Sequence, residues 1–203
     1  TDTFYFVNDT WWKTDKNKQE IFHLPFTSNN YFLSFSRLTH AKRVNLIIEA
    51  FRDLPEKNLL ILYGEHDSQK EEFMRLGAWC PNISFLHLSD NRLLPAVIRW
   101  AIATIAISRE EDFGMVVIES MACGVPVIAV DEGGYRETIL DGKTGRLIAN
   151  ELCIWGDSSL ISGLKDIVKN AHPEEWSFMK DDCVNRAQVF SLEKCRQQLE
   201  LYF

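Results

Sequence analysis

The sequence predicts an α/β protein: one open, doubly wound parallel sheet covered by helices on both faces, with further helices at its C-terminal end. Two observations carry this expectation. From Tyr31 onward, short apolar runs alternate with stretches of helical spacing. The connections between them are short, so strand–helix–strand units close as right-handed crossovers onto a parallel sheet. Composition agrees, because 46% hydrophobic and 25% charged among 203 residues is the balance of a globular chain with a real core. A net charge of −7 argues against nucleic acid as the main partner, since binding a phosphate backbone relies on clustered Lys and Arg. A small anionic ligand needs only one or two cations and is not excluded.

Residues 1–30 mix Phe4, Tyr5, Phe6, Trp11 and Trp12 with Asn, Asp and Lys, and read as a linker or covering segment. Residues 31–203 read as the folded domain. Tyr31–Ser36 is a short apolar run, hence a buried strand. Lys42–Asp53 carries Val44, Ile47, Ile48 and Phe51 at helical spacing. Leu59–Leu62 is a second strand, closed by Gly64, and Ser68–Leu76 a second helix with Phe73, Met74 and Leu76 as its apolar positions. Ile83–Leu86 is the third strand. Asp90 is placed to cap a helix running to Ala101. Thr104–Ile107 and Val127–Val130 are strands, separated by a helix that stops at Cys123-Gly124, and Gly145–Ile148 is a short sixth. Helical periods follow in Leu160–Val168 and Asp182–Leu201, with Trp100, Trp176 and Phe190 assigned to the core.

Leu93–Ile107, the longest nearly apolar run, contains Pro95 and Arg99 and falls short of the ~20 residues that span a bilayer. No basic-then-apolar leader opens the sequence. Five cysteines with no C-x-x-C pair favour reduced thiols and a cytoplasmic location. No zinc spacing is present, and no metal site is expected.

In a doubly wound sheet, ligands bind outside the carboxyl ends of the strands. The relevant loops therefore begin at Arg37, Gly64, His87, Ser108 and Asp131. The stretch from Ser108 to Val127 is the most informative. Glu111 lies in the loop, and Glu119 lies eight positions later, inside an apolar helix. A carboxylate among Met, Val, Ile and Ala costs several kcal/mol, roughly, if buried without a partner. A salt bridge on a partly exposed face would satisfy it; so would a polar ligand. Phe113-Gly114 opens that helix, where free N–H groups favour an anion.

Glu111-x₇-Glu119 with Phe113-Gly114 after the first Glu, then Glu119-Ser120-Met121-Ala122-Cys123-Gly124-Val125-Pro126-Val127-Ile128-Ala129, resembles the donor-site signature of retaining GT-B glycosyltransferases. The nearest group is family 4, also called the group 1 glycosyl transferases. Asp131-Glu132-Gly133-Gly134-Tyr135-Arg136-Glu137 and Asp141-Gly142-Lys143-Thr144-Gly145-Arg146-Leu147 are similar to the next two blocks of that family. Ser36-Arg37-Leu38, followed by Lys42-Arg43, resembles an upstream block. Two departures stand out. Gly64-Glu65-His66-Asp67 lacks the second Gly of the family's Gly-Asp-Gly turn, and His87 replaces a small residue near the expected base pocket.

The resemblance implies one Rossmann-like half of a GT-B fold. It implies that Glu119 accepts hydrogen bonds from the ribose of a nucleotide sugar, and that Glu111 holds hydroxyls of the transferred sugar. Phe113, Gly114, Met115 and Val116 would offer backbone N–H groups. Arg37 and Lys42 would neutralise the diphosphate, so that Glu111, Arg37 and Lys42 form the catalytic set. The implied donor is a nucleoside-diphosphate sugar such as GDP-mannose or a UDP-sugar, with no separate cofactor. The acceptor would be a glycan, lipid or small molecule held by an N-terminal domain or a partner subunit not found in these residues. Attachment at the inner membrane is the alternative to a freely cytoplasmic location. A non-catalytic nucleotide-sugar-binding module is the alternative function. A dinucleotide-dependent oxidoreductase is disfavoured by the absence of Gly-x-Gly-x-x-Gly after the first strand.

Overall fold

The structure, a computed structural model, describes residues 24–65, 67–88, 90–149 and 157–200. The covering segment expected over residues 1–30 lies outside the described residues up to position 23; within it, Leu24 and Phe26 pack against the sheet, and the Asn29 N–H donates to the Trp100 carbonyl at 2.7 Å.

Six strands form one parallel sheet: β1 (Phe32–Ser34), β2 (Leu59–Tyr63), β3 (Ile83–His87), β4 (Thr104–Ala106), β5 (Val127–Val130) and β6 (Gly145–Ile148). Their order is β3-β2-β1-β4-β5-β6. The direction of winding reverses between β1 and β4, which pair through Leu33 and Thr104. The loops leaving β1 and β4 thus diverge and leave a crevice, the place where such sheets hold ligands.

Both faces are covered, as the continuous apolar runs require. Phe32, Leu59 and Ile61 enter one core, and Tyr31, Leu33, Leu60 and Leu62 enter the other, following the two-residue alternation of a strand. The larger core holds α1 (Val44–Arg52) and α6 (Asp157–Asn170), which buries Leu160, Leu164 and Val168 on one stripe. The smaller one holds α3 (Leu94–Arg99), where the Tyr31 hydroxyl donates to the Val97 carbonyl at 2.6 Å. Full burial of each such aliphatic or aromatic side chain contributes about 1.5–3 kcal/mol. Asn82, also buried, donates to the carbonyls of Phe51, Leu54 and Lys57 and ties the end of α1 to the sheet. The remaining helices are α2 (Lys70–Gly77), α4 (Met115–Ala122), α5 (Tyr135–Thr138), α7 (Pro173–Ser177), α8 (Lys180–Val189) and α9 (Leu192–Glu200). No helix among the described residues is long and apolar enough to cross a membrane.

Three boundaries differ from the sequence reading. The helix expected from Lys42 begins at Val44, because Arg43 adopts left-handed backbone (φ 53°) and Lys42 sits in a 3-10 turn over His40–Lys42. The helix expected from Asp90 is split: the Asp90 carboxylate caps a 3-10 turn by accepting from the Arg92 N–H at 2.9 Å, and Pro95 lies in the first turn of α3. The helix expected over Asp182–Leu201 breaks at Phe190-Ser191, where the Ser191 hydroxyl accepts from the Lys194 N–H at 3.3 Å and caps α9. Trp176 is buried as expected, whereas Trp100 and Phe190 are only partly so.

Candidate functional site

The loops after β1, β4 and β5 meet over the crevice. The Arg109 N–H donates to the Ala41 carbonyl at 2.8 Å, and the Gly134 N–H to the Glu111 carbonyl at 2.8 Å. Both glycines of the β5 loop make this approach possible. A Cβ at Gly133, which has a positive φ of 54°, would meet the Glu111 backbone oxygen at 2.5 Å, and one at Gly134 would strike the backbone of Asp112 and Phe113. The two loops are therefore in close backbone approach at both positions.

Lys42 and Glu111 are brought together: Nζ donates to Oε2 at 2.6 Å, with both side chains about four-fifths buried (24% and 20% exposed). Burial alone would push the Glu111 carboxyl up. The Lys42 ammonium, the Gly114 N–H at 3.2 Å and the Ser108 hydroxyl outweigh it and hold the carboxyl below its usual range. Glu111 is thus held as an anion against the Lys42 side chain.

Glu119 differs. It is half-buried on α4, and its carboxylate makes no hydrogen bond or ion pair among the described residues. Its carboxyl is pushed up by burial. The next residue, Ser120, is buried and bonds to Thr104 Oγ1 at 2.7 Å and to the Val125 carbonyl at 3.1 Å, which anchors α4 to β4.

Gly114 caps α4 in left-handed backbone (φ 83°). Its N–H, expected to face a ligand, donates to Glu111 instead. Met115 and Val116 occupy the first turn, whose N–H groups have no acceptor within the helix. Phe113 is 43% exposed, and its ring stands edge-on to Phe190 at 5.7 Å, which in turn lies under the Arg186 guanidinium. Arg37 is exposed and makes no ion pair among the described residues. The structure thus joins Lys42, Glu111 and Gly114 by direct bonds. Arg37 lies in the loop after β1 and Glu119 on α4, and no ion pair joins them among the described residues.

An open depression of about 600 Å³ adjoins this edge, lined by Glu110, Glu111, Asp112, Gly133, Gly134, Arg136 and Glu137. It shares Glu111 with the crevice but not Arg37, Lys42 or Glu119. Of the two departures, the Gly64 loop is held by Asp67, which accepts from the Gly64 N–H at 2.7 Å and the Leu38 N–H at 3.2 Å; His66 lies outside the described residues. His87 is exposed and packs its ring against Tyr63 at 5.5 Å on the neighbouring strand.

Sequence reasoning missed two residues. Tyr135 is buried beneath Gly114, and its hydroxyl accepts from the Ser108 N–H at 3.2 Å. Burial pushes that phenol up to about 12. Arg43 is buried, and its Nη1 donates to the Ile107 carbonyl at 3.3 Å and to Glu132 Oε1 at 3.0 Å. Arg43 had one legible signal: a cation at a helix N-terminus opposes the helix dipole and so needs another reason to be there.

The family description "Glycosyl transferases group 1" matches residues 15–174. A stretch of 156 residues is 30% identical to the alpha-1,3/1,6-mannosyltransferase alg-2 of Neurospora crassa, covering 61% of this chain and 33% of that protein. A stretch of 169 residues is 32% identical to an uncharacterised glycosyltransferase of Methanocaldococcus jannaschii, covering 82% of this chain and 45% of that one. The chain therefore spans less than half the length of these curated relatives. Among solved structures, sucrose-phosphate synthase from Thermosynechococcus elongatus superposes with a TM-score of 0.71 at 22% identity, over 91% of this chain and 47% of that one. The shared fold and the match over residues 15–174 make this chain a member of the group 1 glycosyl transferases, with the Rossmann-like fold of one half of a GT-B enzyme.

Proposed function

We propose that residues 31–203 form the donor-binding domain of a retaining glycosyltransferase. It moves a hexose such as mannose or glucose from a nucleoside-diphosphate sugar to an acceptor hydroxyl. The observation that carries this reading is Glu119: a half-buried carboxylate without a partner, on the helix whose N-terminus opens into the crevice. A ribose supplies two hydroxyl donors of the kind such a carboxylate lacks. The first turn of α4 then faces the diphosphate, where its N–H groups and dipole favour an anion.

Departure of the diphosphate builds negative charge on the leaving oxygens. Arg37, Lys42 and the helix N-terminus lie ready to neutralise it, and such preorganised stabilisation is a large share of most rate enhancements. These groups supply the role a divalent metal plays in other transferases, so the reaction is read as metal-independent. Lys42 has three N–H donors, and one is committed to Glu111. Two remain for phosphate. Glu111 keeps lone pairs on both oxygens for a sugar hydroxyl. The acceptor hydroxyl attacks on the face the diphosphate leaves, and a diphosphate oxygen takes its proton. Holding that acceptor falls to the N-terminal half or a partner subunit.

Thermal-shift and calorimetric titration with UDP, GDP, ADP and their sugars tests the reading and identifies the base. Arg37→Ala and Lys42→Ala are each expected to weaken the diphosphate by about 1–2 kcal/mol while leaving the free nucleoside nearly unaffected. The loss should shrink as salt screens the wild-type contact. Equal losses for nucleoside and diphosphate would count against the assignment.

A further inference from the structure

We propose that Arg43 is a positioning residue for the donor site, closing a ring of contacts that keeps Lys42 and Glu111 in register. The ring is continuous in the structure. Arg43 Nη1 donates to Glu132 at 3.0 Å. Glu132 leads directly into Gly133-Gly134, and the Gly134 N–H donates to the Glu111 carbonyl at 2.8 Å. Glu111 accepts from Lys42 at 2.6 Å, and Lys42 precedes Arg43 in the chain. Three loops, after β1, β4 and β5, are closed on one another by side chains that lie 69 and 89 positions apart in sequence.

Two features show that Arg43 is held for this purpose rather than resting there. Its backbone is left-handed (φ 53°), a region an arginine enters only when its surroundings impose it. Its Nε is buried with no hydrogen-bond partner, so the guanidinium is aimed by its Nη1 contacts to Ile107 and Glu132 and gives up one donor to make them. The left-handed turn is also what ends the 3-10 segment at Lys42 and starts α1 at Val44. It thereby decides where the Lys42 side chain leaves the backbone.

The inference rests on the donor-site reading and deepens it. When a diphosphate engages the two other N–H donors of Lys42, the bond to Glu111 is kept and the ring stays closed. The Arg43–Glu132 and Gly134–Glu111 links remain, so the β4 loop stays docked on the β5 loop. Arg43 touches no reacting atom in this account; it acts through Lys42 and Glu111.

The test uses the full chain with Arg43→Gly, Glu132→Gln, Lys42→Ala and the Arg43→Gly/Lys42→Ala double variant. Glycine accepts the left-handed backbone, so Arg43→Gly removes the guanidinium without adding strain. Amide exchange without ligand is expected to quicken about tenfold at Gly134 in Arg43→Gly and Glu132→Gln, with the sheet amides unchanged. Titration with UDP, GDP and ADP should show about a tenfold weaker diphosphate in both variants, and little further loss when Arg43→Gly is added to Lys42→Ala, as coupled residues behave. Unchanged exchange at Gly134, or a loss that adds in full to that of Lys42→Ala, overturns the proposal. If Arg43→Gly does not fold, Glu132→Gln alone carries both measurements. If the wild type binds none of the three nucleotides, the donor reading fails, and Gly134 exchange alone decides the role of Arg43.

Discussion

Gly134→Ala is expected to destabilise the protein by about 3 kcal/mol and to abolish nucleotide binding together with it. The new methyl group would meet the backbone carbonyl of Asp112 and lie 2.8 Å from Phe113 Cα. Neither is the end of a flexible side chain. Relief therefore requires the β4 and β5 loops to separate, which breaks the Gly134–Glu111 hydrogen bond and displaces the turn that opens α4. Gly64→Ala is the control. There a Cβ would meet nothing nearer than Asp67 Oδ2 at 3.6 Å, an ordinary contact, and the change should stay within about 0.5 kcal/mol. Calorimetric melting separates the two, since 1 kcal/mol moves the midpoint of a chain this size by roughly 2–4 °C. Equal midpoints for both variants would mean that the two loops are not locked.

Glu119→Gln is expected to act in opposite directions on folding and on binding. Without ligand, burial disfavours the charged carboxyl, so its removal should raise the melting temperature of the free protein. The sign follows from the shift. A carboxyl raised in the folded state costs stability above its unfolded pKa, and the cost grows as pH rises through the folded value. The gain in melting temperature should thus be present at neutral pH and fade as pH is lowered toward about 4. Affinity for the nucleoside diphosphate should fall by about 1–3 kcal/mol, the loss of charged hydrogen bonds to the ribose. The 2′-deoxynucleotide should lose affinity only in the wild type. A variant that melts lower and binds as before would place Glu119 in structural service. Glu111 runs the other way: its carboxyl is held low, so its contribution to stability is present at neutral pH and is lost as pH falls through the folded value.

The sheet was legible because its strands are local events. A buried parallel strand is a short apolar run between breakers, and all six runs became strands within a residue or two of their expected ends. The candidate site was legible in its local parts: a Glu in an apolar helix and a Phe-Gly at its entrance. What could not be read is what those parts touch. Lys42 and Glu111 were assigned separate duties, to phosphate and to sugar, yet they form an ion pair across 69 positions. Arg43 was given no role of its own, because the carboxylate that holds it is 89 positions away. Helical period carried straight through Phe190-Ser191, where a ring turned toward Phe113 and a serine cap end one helix and begin another. Periodicity reports which face of an element is apolar and says nothing of the partner that face will meet.

The central claim is that a nucleoside diphosphate binds at the carboxyl edge, across the loops after β1 and β4. Titrating the ¹⁵N-labelled chain with UDP, GDP and ADP while following backbone amide resonances tests it directly. Saturable shifts are expected, centred on Met115 and Val116 and extending through Gly114 to Lys42 and Arg37, for at least one of the three nucleotides. Shifts centred instead on Asp112, Arg136 and Glu137 around the acidic depression, or none with any of the three, would contradict it.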